Sequence, residues 1–107
     1  MENKEYQQFT NTTNKYPKDK QIECLAMELC SEAGEVAGKI KKIFRDNTKL
    51  TPELCDAIAD EVGDCFWSAS ELCTKLGYTI SEVMAMNVIK LESRMQRGKI
   101  GGSGDNR

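Results

Sequence analysis

From residue 19 to residue 96 the apolar side chains recur at three- and four-residue intervals, the spacing of one helix face, and nowhere do they alternate as a half-buried strand requires. The first stretch, over residues 19–44, carries Ile22, Leu25, Leu29, Val36, Ile40 and Ile43, with Asn47 and Thr48 as its stop. The second opens at Thr51-Pro52-Glu53, which supplies an N-cap residue, a proline at the first helical position and a first-turn acid. It runs through Leu54, Ile58, Val62, Cys65, Ala69, Leu72 and Leu76 and closes at Gly77. A last helix follows Ser81 and Glu82, places Met84, Val88, Leu91 and Met95 on one stripe and ends at Gly98. The polar first 20 residues, broken by Pro17, predict one short helix over residues 5–9 and then a loop. The expected fold is all-α: one domain over residues 1–107, two long helices plus a third, and a flexible glycine-rich tail from residue 98.

A helical chain of 107 residues buries only roughly two-thirds of the surface its unfolded form exposes, so its long apolar stripes predict a homo-oligomer. Fifteen Lys and Arg stand against 17 Asp and Glu, a net charge of −2, which gives no general attraction to nucleic acid or anionic membrane. No apolar run approaches the roughly 20 residues of a membrane span, and Met1-Glu2-Asn3-Lys4-Glu5-Tyr6 lacks the apolar stretch of a secretory signal, so a cytoplasmic protein is expected. The five cysteines, Cys24, Cys30, Cys55, Cys65 and Cys73, lack zinc-knuckle spacing and read as thiols packed in a reducing compartment. The chain contains no histidine. Ser-His-Asp and Cys-His catalysis, HExxH zinc sites and Glu-x-x-His di-iron sites are therefore excluded.

The two long helices repeat one acidic pattern. Laid over the first so that Leu54 falls on Leu25 and Ile58 on Leu29, the second places Glu61 on Glu32, Gly63 on Gly34 and Asp64 on Glu35. Each helix thus carries two acids three residues apart, Glu32 with Glu35 and Glu61 with Asp64, side by side on one face. Glu32 falls within roughly 60° of Leu25, Leu29 and Val36 on a helical wheel, and Glu61 equally near Leu54, Ile58 and Cys65, so both acids interrupt the apolar stripe. Carboxylates converging there repel strongly unless a cation sits among them. An all-oxygen ligand set selects a hard divalent ion, Mg²⁺ or Mn²⁺. The plainer reading is a solvated acidic face with Glu35 paired to Lys39 one turn on. Gly34 and Gly63, costly within helices, point away from the acids and predict close backbone approach behind them.

The last helix supplies opposite charge. Asn87, Lys90, Arg94 and Arg97 form one polar stripe, and the segment from Gly101 to Arg107 offers backbone amides and a terminal arginine to a phosphate. With a carboxylate-held cation these describe both halves of a polyphosphate site. Trp67, one turn beyond Asp64, is placed either to stack on a nucleobase or to pack in the core; Tyr6, Phe9 and Tyr16 are weaker aromatic candidates. Lys39, Lys41, Lys42 and Arg45 complement the negative end of their helix.

Ser31-Glu32-Ala33-Gly34-Glu35-Val36, Asp60-Glu61-Val62-Gly63-Asp64, Asn87-x-x-Lys90-x-x-x-Arg94 and the closing Gly102-Ser103-Gly104-Asp105-Asn106-Arg107 together resemble the MazG-like all-α nucleoside triphosphate pyrophosphohydrolases, in particular the small single-domain members. The resemblance implies a hydrolase acting on a phosphoric anhydride bond, which splits a (deoxy)nucleoside triphosphate into monophosphate and pyrophosphate in nucleotide-pool house-cleaning. It implies that Glu32, Glu35, Glu61 and Asp64 hold Mg²⁺ and do the catalytic work, that Asn87, Lys90 and Arg94 contact the phosphates, and that the site is built in a dimer or a dimer of dimers; the long uncovered stripes make the tetramer, a dimer of dimers, the expected assembly. Ser31 stands where some members carry a second glutamate, and Glu28, one turn earlier on the same side, is a substitute for it. Two other functions fit the residues: a helical interaction module without catalysis, and a sensor that binds nucleotide without turning it over.

Overall fold

The computed structural model describes residues 1–98 and 101–104, and among them every regular element is helical. The chain runs through α1 (Asn3–Thr13), a single 3₁₀ turn (Lys18–Lys20), α2 (Gln21–Arg45), α3 (Pro52–Leu76) and α4 (Ile80–Gln96). The long pair, α2 and α3, packs as an antiparallel hairpin, with α1 packed against α3 and α4 touching both α1 and α3.

Local chemistry sets the ends. Thr51 accepts the Leu54 N–H at 3.2 Å with Pro52 at the first helical position, as the sequence predicts. Asn47, at φ 50, lets α2 stop in a Schellman turn: Thr48 N–H reaches the Ile43 carbonyl at 3.1 Å and Asn47 N–H the Phe44 carbonyl at 3.3 Å. Gly77, at φ 87, does the same for α3. The cap of α4 is Thr79, where the sequence pointed to Ser81. Thr79 Oγ1 accepts the Glu82 N–H at 3.0 Å while Glu82 Oε1 accepts the Thr79 N–H at 2.8 Å, and these bonds hold the Glu82 carboxyl below the usual range.

Helix α1 extends to Thr13, well beyond the short helix expected over residues 5–9. Tertiary partners explain the extra turn, because Thr10 is fully buried and bonds Ser70 at 2.8 Å and Glu71 at 2.8 Å on α3. A helix interior otherwise disfavours threonine and asparagine.

Leu25 is the only hydrophobic residue fully buried among the described residues. Phe44 is 81 % exposed, Met95 70 %, Ile89 66 % and Phe66 62 %. The radius of gyration is 16.6 Å, against about 13 Å for a compact chain of this length. The α4 stripe that the sequence marks as core, Met84, Val88, Leu91 and Met95, is thus bare in one protomer, whereas the stripes of α2 and α3 are mostly half-buried against each other. The expected close approach behind Gly34 and Gly63 is not found either, since a Cβ at each would meet nothing within 4 Å. Among the described residues no helix is long and apolar enough to cross a membrane.

Candidate functional site

Packing α2 against α3 brings Glu32 to Glu61 and Asp64, with one carboxylate oxygen of each within 4.8 Å of the others. The convergence follows from the register: both helices bury a stripe, each acid stands at its edge, and antiparallel pairing sets the two edges face to face. Glu32 and Glu61 are half-buried and Asp64 is exposed. The crowding raises the Glu32 carboxyl to about 7, first through its hydrogen bond with Glu28, then through burial, then through the charges of Asp64, Glu28 and Glu61. Lys39 Nζ lies 3.7 Å from Glu61 Oε1, so its ionic partner is across the hairpin and not Glu35 on its own helix.

Beside the acids lies a cavity of about 450 Å³, within the range of small-molecule sites. Glu28, Glu32 and Asp64 form its acidic wall; Thr13, Lys15, Tyr16 and Trp67 form the rest. Trp67 donates its indole N–H to Thr13 Oγ1 at 2.7 Å, and the Tyr16 hydroxyl donates to Glu28 Oε2. That bond to Glu28 is the main reason the Tyr16 phenol is pushed up to about 12. On the other side, burial and the nearby charge of Asp64 raise the Tyr6 phenol.

The donor set fits a hard divalent cation. Three carboxylates meet where, among the described residues, one lysine is ion-paired to Glu61, and no imidazole is present anywhere in the chain. Glu35 is exposed and stands outside this trio, while Glu28 is hydrogen-bonded into it. Of the residues expected on the phosphate side, Asn87 and Lys90 are exposed on α4, and Arg94 is buried with Nη2 3.5 Å from the Gly104 carbonyl. None of the three lines the cavity, whose basic residue is Lys15. Arg107 lies outside the described residues. Sequence reasoning passed over Thr13 and Lys15, because they belong to the end of α1 and the loop after it, where no periodicity marks them. Glu71 also escaped it, although an acid seven residues after Asp64, on the packed side of α3, was a visible signal.

Residues 20–98 match the model of the MazG nucleotide pyrophosphohydrolase domain. The chain is similar to the Gene 37 protein of Mycobacterium phage L5, with 45 % identity over 84 residues that cover 78 % of this chain and 74 % of that protein. No solved structure matches it. The matched span takes in α2, α3 and α4 whole, the acid-bearing hairpin included, and the chain therefore belongs to the MazG nucleotide pyrophosphohydrolase domain family.

Proposed function

We propose that this protein hydrolyses (deoxy)nucleoside triphosphates to the monophosphate and pyrophosphate with Mg²⁺, or Mn²⁺ in its place, and so removes unwanted nucleotides from the pool. The observation that carries the reading is the meeting of Glu32, Glu61 and Asp64 from two helices beside a nucleotide-sized cavity. These three would hold the cation, joined by Glu35, whose exposed side chain lies one turn along α2 and can rotate toward them. When bound, the ion supplies Lewis-acid polarisation of the phosphate oxygens and a more acidic water.

The remaining steps belong to the chain's own groups. Water attacks phosphorus, its oxygen bonds to the nucleoside phosphate, and the bond to pyrophosphate breaks. With no histidine, the proton released goes to a carboxylate. Glu28 suits that role, because it faces the cavity, is hydrogen-bonded to both Glu32 and Tyr16, and is not one of the converging trio. Lys15 faces the triphosphate from the opposite wall, and Trp67 offers an aromatic face to the base.

Asn87 and Lys90 are assigned to the phosphates of a site completed between copies, in a homo-oligomer that is a dimer of dimers, and Arg94 joins them once its buried contact with Gly104 opens. The support is the exposure of Met84, Val88, Leu91 and Met95 on the same helix, a stripe that one protomer leaves uncovered.

Incubating the protein with a panel of triphosphates and Mg²⁺ tests the reading. Chromatography should show monophosphate and pyrophosphate in equal amounts, and none with EDTA. Orthophosphate as the product, or nucleotide bound and never cleaved, would overturn it; the second outcome is what a sensor gives.

A further inference from the structure

Two turns beyond Asp64, toward the α4 end of α3, lies a glutamate with no exposed surface. Glu71 is 0 % exposed, and each of its oxygens accepts from a different donor on the α1 side: Oε2 from the Thr10 hydroxyl at 2.8 Å and Oε1 from Asn14 Nδ2 at 2.8 Å. Asn14 carries the connection onward. Its Oδ1 accepts the Tyr16 backbone N–H at 3.1 Å, and its Nδ2 also donates to Gln21 Oε1 at 2.6 Å. Gln21 Nε2 donates in turn to the Tyr16 carbonyl at 2.8 Å. Both backbone polar groups of Tyr16 are thereby held, and its hydroxyl reaches Glu28 on the acidic wall.

A buried carboxyl group is an expensive way to join two helices, since apolar residues of similar volume pack as well or better. What apolar residues cannot do is fix the direction of a polar loop. Here the fixed segment, the last residue of α1 and the loop after it over residues 13–16, contributes three of the seven residues around the cavity. We propose that Glu71 is a positioning residue for the substrate: through Thr10 and Asn14 it sets Thr13, Lys15 and Tyr16 opposite the acids. The inference rests on the cavity being the triphosphate site, and one arm of its test does not.

Trp67 is the chain's only tryptophan and its indole N–H is bonded to Thr13, so its fluorescence reports on this wall without reference to turnover. The variants are Glu71→Ala, Asn14→Ala and Glu71→Gln, each checked for helix content and for Mg²⁺-dependent melting. Asn14→Ala leaves the Glu71–Thr10 bond and keeps the test open if Glu71→Ala does not fold. Acrylamide quenching of Trp67 should rise about twofold in the alanine variants, and KM about tenfold with kcat within about threefold, since a small displacement of positioning groups weakens productive binding. Glu71→Gln should recover most of both. Its amide oxygen accepts from Asn14 and its amide nitrogen donates to Thr10, whose hydroxyl proton turns to the Gln7 carbonyl 3.0 Å away. Wild-type quenching in folded Asn14→Ala, or raised quenching with a wild-type KM, overturns the proposal. Raised quenching in a protein whose wild type cleaves no triphosphate upholds the positioning and defeats the reading of the function.

Discussion

Lys39 Nζ stands 3.7 Å from Glu61 Oε1 and ties the two acid-bearing helices together by charge. The pair is only partly shielded, with side chains 36 % and 20 % exposed, so its contribution to stability is about 0.5 kcal/mol. Lys39 also occupies the place of a competitor, because it partly neutralises an acid that a divalent cation would bind. Lys39→Gln should lower the metal-free melting temperature by about 2–4 °C and tighten Mg²⁺ binding several-fold. Melting curves across a Mg²⁺ titration check both directions at once.

The acids themselves should separate by role. Glu32→Gln and Glu61→Gln should each reduce Mg²⁺-dependent pyrophosphate release by about a hundredfold or more, since each removes a ligand charge while keeping the shape. Without metal the two should differ. Glu32→Gln relieves repulsion from Asp64 and Glu61 and should melt at or above wild type at pH 8 in EDTA. Glu61→Gln also deprives Lys39 of its partner, so its gain should be smaller or absent. A clear loss of metal-free stability in both variants would mark the acids as structural.

The raised Glu32 carboxyl gives a pH signature. Its ordinary value is 4.5 and its folded value about 7, so between these the folded chain holds a proton that the unfolded chain has released. The associated stability is complete below about pH 4.5 and is lost as pH rises through 7. Metal-free melting temperature should therefore fall from pH 5 to pH 8. The Mg²⁺-induced rise should grow over the same range, because a cation must displace that proton. Thermal melts with and without Mg²⁺ at four pH values test this, and Glu32→Gln should flatten both trends.

Helix α3 was legible to the residue because Thr51, Pro52 and Gly77 act through local chemistry that needs no partner. The acid trio was legible for a related reason: a carboxylate that interrupts an apolar stripe stands out in one dimension. Thr10 and Asn14 were not, since their helical or loop placement depends on Glu71, far away in the chain. Periodicity also showed which residues share a face of α4 without showing what that face meets. Asn87 and Lys90 therefore read as neighbours of the acids, and within one protomer they do not line the cavity.

That separation leads to a test of where the site is completed. Lys90 and the apolar Met84, Val88 and Leu91 are all exposed on α4, so a second copy that covers the stripe would carry the lysine onto its neighbour. Light scattering at micromolar concentration should give the mass of a dimer or tetramer, and a well-folded monomer would defeat the assembly. Glu32→Gln and Lys90→Glu should each be nearly inactive alone. Unfolded together in equal amounts and refolded, they should regain roughly a quarter of wild-type turnover, because half of randomly re-paired dimers are mixed and each mixed dimer holds one site free of both changes. That recovery requires acid and lysine to come from different copies. If the mixture stays as inactive as its parts while light scattering still shows the oligomer, any phosphate contact by Lys90 is made within its own protomer, and α4 must move toward the acids to make it.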